Sequence, residues 1–89
     1  YLMKADEIRI MYKDRHKIID YVEKYPDKTI ILDMKNYNGI IEWNDIKRYK
    51  IMCKNNFIIA LNSLTYLDYC KKENIRFYWN FPVNTFYDL

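Results

Sequence analysis

The sequence predicts an α/β fold: a four-stranded parallel βαβαβαβ segment with its helices on one face, half of a (β/α) barrel. Three observations predict it. Four short apolar runs each keep one alternation parity almost purely greasy while the other carries a polar or charged residue: Ile8, Ile10 and Tyr12 against Arg9, Met11 and Lys13; Ile30, Leu32 and Met34 against Thr29, Ile31, Asp33 and Lys35; Phe57, Ile59 and Leu61 against Ile58, Ala60 and Asn62; Ile75, Phe77 and Trp79 against Arg76, Tyr78 and Asn80. Strand side chains alternate between faces, so a bias shared by four runs means one sheet with a dry side and a wetter side. Stretches of helical spacing separate the runs, which makes the strands parallel neighbours joined by right-handed crossovers. The polar parity argues against a doubly wound sheet, whose central strands are apolar on both faces.

The first strand spans about Glu7 to Tyr12. Asp14 is placed to cap a helix running through Tyr25, with Ile18, Tyr21, Val22 and Tyr25 as its inner stripe and Pro26 as its stop. Thr29 to Met34 is the clearest strand. The turn-prone run Lys35 to Gly39 predicts a loop beyond its carboxyl end, followed by a short extended piece at Ile40-Ile41. Asn44 or Asp45 caps a second helix through Cys53, with Ile46, Tyr49 and Cys53 inward and Trp43 at its entry. Phe57 to Leu61 is the third strand, and Ser63 caps a third helix whose Leu64, Leu67 and Cys70 face the sheet. Asn74 suits the left-handed residue after that helix. Ile75 to Asn80 is the fourth strand, and Asn84 is placed to begin a fourth helix.

With 89 residues, positions 1–89 are expected to form a single βα-repeat domain, a fragment of a longer barrel. A barrel of this type needs about 250 residues. No apolar run approaches the roughly 18 residues of a membrane span and no basic-then-apolar leader opens the chain, so a cytoplasmic protein without membrane contact is expected. The formal net charge of +3 is modest. Lys47, Lys50 and Lys54 share a helical face beside Arg48, read as a solvated surface, and no nucleic-acid partner is expected. Cys53 and Cys70 match no metal spacing and read as two reduced, buried thiols, with a disulfide between neighbouring parallel helices as the alternative in an oxidising setting. His16, the single histidine, falls on a solvent face, so no zinc site of standard type assembles. Gly39 is the only glycine, which leaves no phosphate-binding loop; no cofactor and no metal are expected.

In β/α barrels, ligands meet residues at the carboxyl ends of the strands and in the loops that follow. Asp33, Lys35, Asn62 and Asn80 are the ligand-lining candidates on that ground. A carboxylate at an inward position such as Asp33 is costly unless it meets a cation, metal or substrate. Its structural reading is an ion pair with Arg9, Arg76 or Lys35. Asn62 and Asn80 occupy equivalent last positions of successive strands, where they either hydrogen-bond a ligand or cap loops. Arg76, early in its strand, is read as a structural residue of the polar side. Catalytic residues are not assigned.

Two stretches carry a family resemblance: Ile75-Arg76-Phe77-Tyr78-Trp79 with the run Asn80 to Leu89, and Glu7 to Tyr12 with Tyr25 to Asp33. In pattern the chain resembles collagenase-related peptidases and similar TIM-barrel proteins of phage and prophage genes in low-GC bacteria. The AT-rich residue usage, heavy in Ile, Lys, Asn and Tyr, suits such a source. The resemblance implies a β/α barrel of which this segment supplies the first four strands, without activity alone. Two functions follow as expectations: part of a barrel hydrolase completed by the missing half, or a structural and protein-interaction module that forms a homodimer through open sheet edges.

Overall fold

A computed structural model of the chain describes residues 2–3 and 6–79. The strands are β1 (Leu2–Met3), β2 (Glu7–Met11), β3 (Thr29–Asp33), β4 (Phe57–Leu61) and β5 (Arg76–Trp79). The helices are α1 (Ile18–Lys24), α2 (Trp43–Cys53) and α3 (Leu67–Lys72). They form one sheet in the order β1-β2-β3-β4-β5, in which β2 to β5 are all parallel. Each crossover steps to the adjacent strand in the same direction, the winding of half a barrel. β1 was not expected. It pairs antiparallel with β2, setting Leu2 against Arg9 and Met3 against Ile8, and so covers part of the edge that the sequence reading left open.

The dry parity behaves as its composition requires. Ile8, Ile10, Ile30, Leu32, Ile59 and Leu61 are at most 1% exposed. They form a single core with Ile18 of α1, Ile46, Tyr49 and Cys53 of α2, and Cys70 of α3, so all three helices cover this one face. Burying a side chain of this size contributes about 1.5–3 kcal/mol, which makes the helix-covered layer the main source of stability. Phe77 and Trp79 at the margin are half-buried.

The helix starts depart from expectation. Residues Tyr12–Lys17 form a tighter 3-10 helix with non-helical backbone at Asp14 (φ −106°), and Asp14 does not cap α1. Tyr12, pulled into the core by its ring, draws the chain inward straight after β2, before a regular helix can open. The second helix begins at Trp43, ahead of Asn44 and Asp45, with Glu42 in the preceding position and no side-chain cap. The Trp43 ring explains the early start, stacking on Tyr69 at 3.7 Å between centroids and meeting Tyr66 edge-on at 5.8 Å. Ser63 does cap, accepting from the Thr65 amide at 3.2 Å. A 3-10 turn at Leu64–Tyr66 then rotates Leu64 outward, so it is exposed instead of facing the sheet.

Helix ends follow the sequence more closely. Asn74 takes the left-handed conformation (φ 55°) while the Ile75 amide reaches back to the Cys70 carbonyl at 2.8 Å. The loop after β3 contains Asn36 at φ 62°. A Cβ on Gly39 would lie 2.6 Å from the Tyr37 hydroxyl oxygen, so a side chain there would displace the Tyr37 ring. Ile40-Ile41 belongs to no strand of the sheet; Ile40 is exposed and Ile41 packs against the core. Asn80 and the helix expected from Asn84 lie outside the described residues.

Candidate functional site at the carboxyl ends of the strands

The register across the sheet aligns Met11, Asp33, Ala60 and Tyr78 as one row on the face opposite the helices. Arg9, on the neighbouring row beside Ile31, reaches across it. Its Nη1 donates to Asp33 Oδ2 at 2.8 Å and its Nη2 donates to the Tyr78 hydroxyl. The guanidinium therefore spans from β3 to β5, and the small Ala60 side chain between them leaves room for it. Asp33 is 4% exposed, the only buried charged residue among those described. Its other oxygen, Oδ1, accepts the Lys35 amide at 2.8 Å, fixing the first turn of the loop after β3.

This arrangement selects among the partners that the sequence allowed for Asp33. Arg9 is the ion-pair partner; Arg76 is exposed and instead donates to the Asn55 carbonyl at 2.9 Å, and Lys35 contributes its backbone. Burial works against the Arg9 charge, but its hydrogen bond to Asp33 and the attraction of Tyr78 outweigh it and hold the guanidinium above its ordinary pKa. The sequence placed Tyr78 on the polar side but could not reveal that it meets Arg9, because the two lie 69 positions apart.

Asn62 is half-buried and donates from Nδ2 to the Met34 carbonyl at 2.6 Å, extending the β3–β4 ladder past the last regular pair. Its Oδ1 is buried without a hydrogen-bond partner among the described residues. The Lys35 side chain is exposed and lines a cleft of about 210 Å³ with Met11, Tyr12, Lys13, Asn36 and Tyr37. Thus Asp33 is joined to Arg9 and Tyr78, Asn62 to the end of β3, and Lys35 to a separate cleft.

Tyr12 organises that cleft. Its hydroxyl accepts the Glu42 amide at 2.6 Å, its ring tilts against Tyr37 at 4.4 Å, and the Arg15 guanidinium lies 4.4 Å from its centroid. Burial pushes the Tyr12 phenol up, while the Glu42 amide and Arg15 pull the other way. Tyr37 donates to the Ile40 carbonyl at 2.7 Å. Both hydroxyls are thus committed to shaping the loops. The apolar position of Tyr12 was legible in its parity; its hydroxyl contact was not.

The basic face of α2 is largely engaged within the fold. Arg48 pairs with Asp45, Lys47 lies 3.9 Å from Glu73, and Lys50 donates to the Glu73 carbonyl at 2.8 Å. His16 is exposed. Cys53 and Cys70 are unbonded and buried, and burial pushes their thiols up to about 12 and about 11. Among the described residues no three His, Cys, Asp or Glu side chains gather closely enough to hold a metal ion, and no helix is long and apolar enough to cross a membrane. No family model matches the chain, and neither do any curated protein or solved structure.

Proposed function

We propose that this chain is a barrel-type β/α unit that works by association, offering β5 to a second copy of itself. The observation that carries this reading is the asymmetry of the sheet: β1 blunts the β2 side, while among the described residues β5 pairs only with β4. An unpaired strand edge presents a row of backbone donors and acceptors that another strand can satisfy. A two-fold contact between copies would join β5 to β5 antiparallel, the simplest closed arrangement. The commitment of Asp33 to Arg9 and to the Lys35 amide supports association over chemistry by this unit alone.

The resemblance to collagenase-related peptidases enters as the parent architecture, in which strands from elsewhere in a longer barrel occupy the same edge. Sedimentation velocity and hydrogen exchange at micromolar concentrations test the reading together. The expected outcome is a concentration-dependent dimer in which the amides of residues 76–79 gain protection as the dimer forms. A monomer at every concentration, with unchanging exchange in β5, refutes self-association.

A further inference from the structure

Deamidation of an asparagine begins when the backbone nitrogen of the next residue attacks the side-chain amide carbon. The side chain must be free to turn, the attacking amide must not be held in a hydrogen bond, and the following residue must not crowd the approach. Asparagine is among the thermolabile side chains, and a glycine after it removes the crowding because it has no Cβ. The chain contains one such pair, Asn38-Gly39.

The fold withholds this reaction from the other described asparagines. At Asn36, Asn44, Asn55 and Asn74 the attacking amide would be that of the next residue, and each of these already donates to a backbone carbonyl. The acceptors are Met34 at 3.1 Å, Glu42 at 3.1 Å, Cys53 at 3.0 Å and Cys70 at 2.8 Å respectively. Asn62 is held by its own side chain, whose Nδ2 donates to the Met34 carbonyl at 2.6 Å. Asn56 precedes the bulky Phe57, which is buried at the start of β4. Asn38 differs on every count. It and Gly39 are exposed in the loop after β3, outside any helix or strand, and neither the Asn38 side chain nor the Gly39 amide makes a hydrogen bond among the described residues.

We propose that Asn38 is a self-modification site, converted through a succinimide to aspartate and isoaspartate, and that the fold confines the reaction to this position. The Gly39 nitrogen bonds to Asn38 Cγ and gives up its proton, while the Cγ–Nδ2 bond breaks and the side-chain nitrogen leaves with that proton as ammonia. Water then opens the ring at either carbonyl, which restores the ordinary backbone as aspartate or routes it through the side chain as isoaspartate. Both products place a new carboxylate in the loop after β3. Isoaspartate also adds a backbone methylene inside the turn that the Tyr37 hydroxyl closes on the Ile40 carbonyl at 2.7 Å. That turn leads to Glu42, whose amide donates to the Tyr12 hydroxyl at 2.6 Å, so the added length falls ahead of the contact that anchors the entry to α2. The reaction is intramolecular and does not depend on self-association.

The whole chain, held in mildly alkaline buffer and sampled over days, tests this by peptide mass mapping with isoaspartyl methyltransferase labelling. Replacement of amide by acid is expected first at Asn38, faster as pH rises because the attacking nitrogen must lose its proton, and with isoaspartate among the products. Amide chemical shifts should then move in residues 37–42. Asn38→Gln, a change at an exposed position, should slow conversion there by about tenfold, because a larger ring must close. In urea the hydrogen-bonded amides are released, and the lead of Asn38 over Asn36, Asn44, Asn55 and Asn74 should shrink. Conversion that appears first at another asparagine, a rate that Asn38→Gln leaves unchanged, or product without isoaspartate would overturn the site. A lead of the same size in urea would overturn the part assigned to the fold.

Discussion

Asp33 illustrates how one side chain is settled by its neighbours. Its parity predicted a carboxylate on the polar side, and that reading holds; its burial follows from Arg9 and the Lys35 turn closing around it. Removing it leaves a guanidinium short of its partner and a loop amide unsatisfied. Asp33→Ala is expected to cost about 1–3 kcal/mol, less than a fully buried pair because Arg9 remains partly exposed. Chemical denaturation measures it, and Tyr78→Phe, which keeps the ion pair, should cost less. Lys54 makes the converse case. It holds a positive φ that a lysine side chain disfavours, so Lys54→Gly should stabilise the fold by about 1 kcal/mol, seen as a higher melting temperature.

At the scale of elements, β4 spans the residues that its apolar run marked, Phe57–Leu61, and β2, β3 and β5 match theirs to within a residue at either end. Period-two alternation is a local signal, and each strand sits where its greasy parity meets the helices. Helix starts were less legible. Asp14, Asn44 and Asp45 carry capping side chains, yet the 3-10 helix that leads into α1 begins at Tyr12 and α2 begins at Trp43, where each ring docks against residues distant in sequence. Docking an aromatic ring outweighs a cap, which contributes only about 1 kcal/mol. Trp43→Ala should therefore cost about 2–3 kcal/mol and fray the first turn of α2, whereas Asn44→Ala should be nearly neutral. Circular dichroism with thermal melts distinguishes the two.

For the whole molecule, one core holds the helices to the sheet, and both thiols belong to it. This gives stability a defined pH dependence. A thiol near 9 in the unfolded chain is raised to about 12 at Cys53 and about 11 at Cys70. Below pH 9 both states keep the protons and nothing changes. Above it the unfolded chain releases them while the folded chain does not, so stability should fall as pH rises from about 9 towards 11. Melting temperatures across that range check it, and the paired variant Cys53→Ala, Cys70→Ala should flatten the slope between pH 9 and 10. Among the described residues the sheet ends in β1 on one side and in β5 on the other.

The sequence by itself determined the layer: four parallel strands, their order, which parity is dry, and that Asp33, Asn62 and Arg9 lie off the helix-covered face. Those properties are written in residue spacing, and spacing survives any rearrangement of loops. Only the tertiary structure decided that Arg9 pairs with Asp33, that Lys35 serves Asp33 through its backbone, and that β1 folds back on β2. Each depends on distances between residues remote along the chain, which no local pattern encodes.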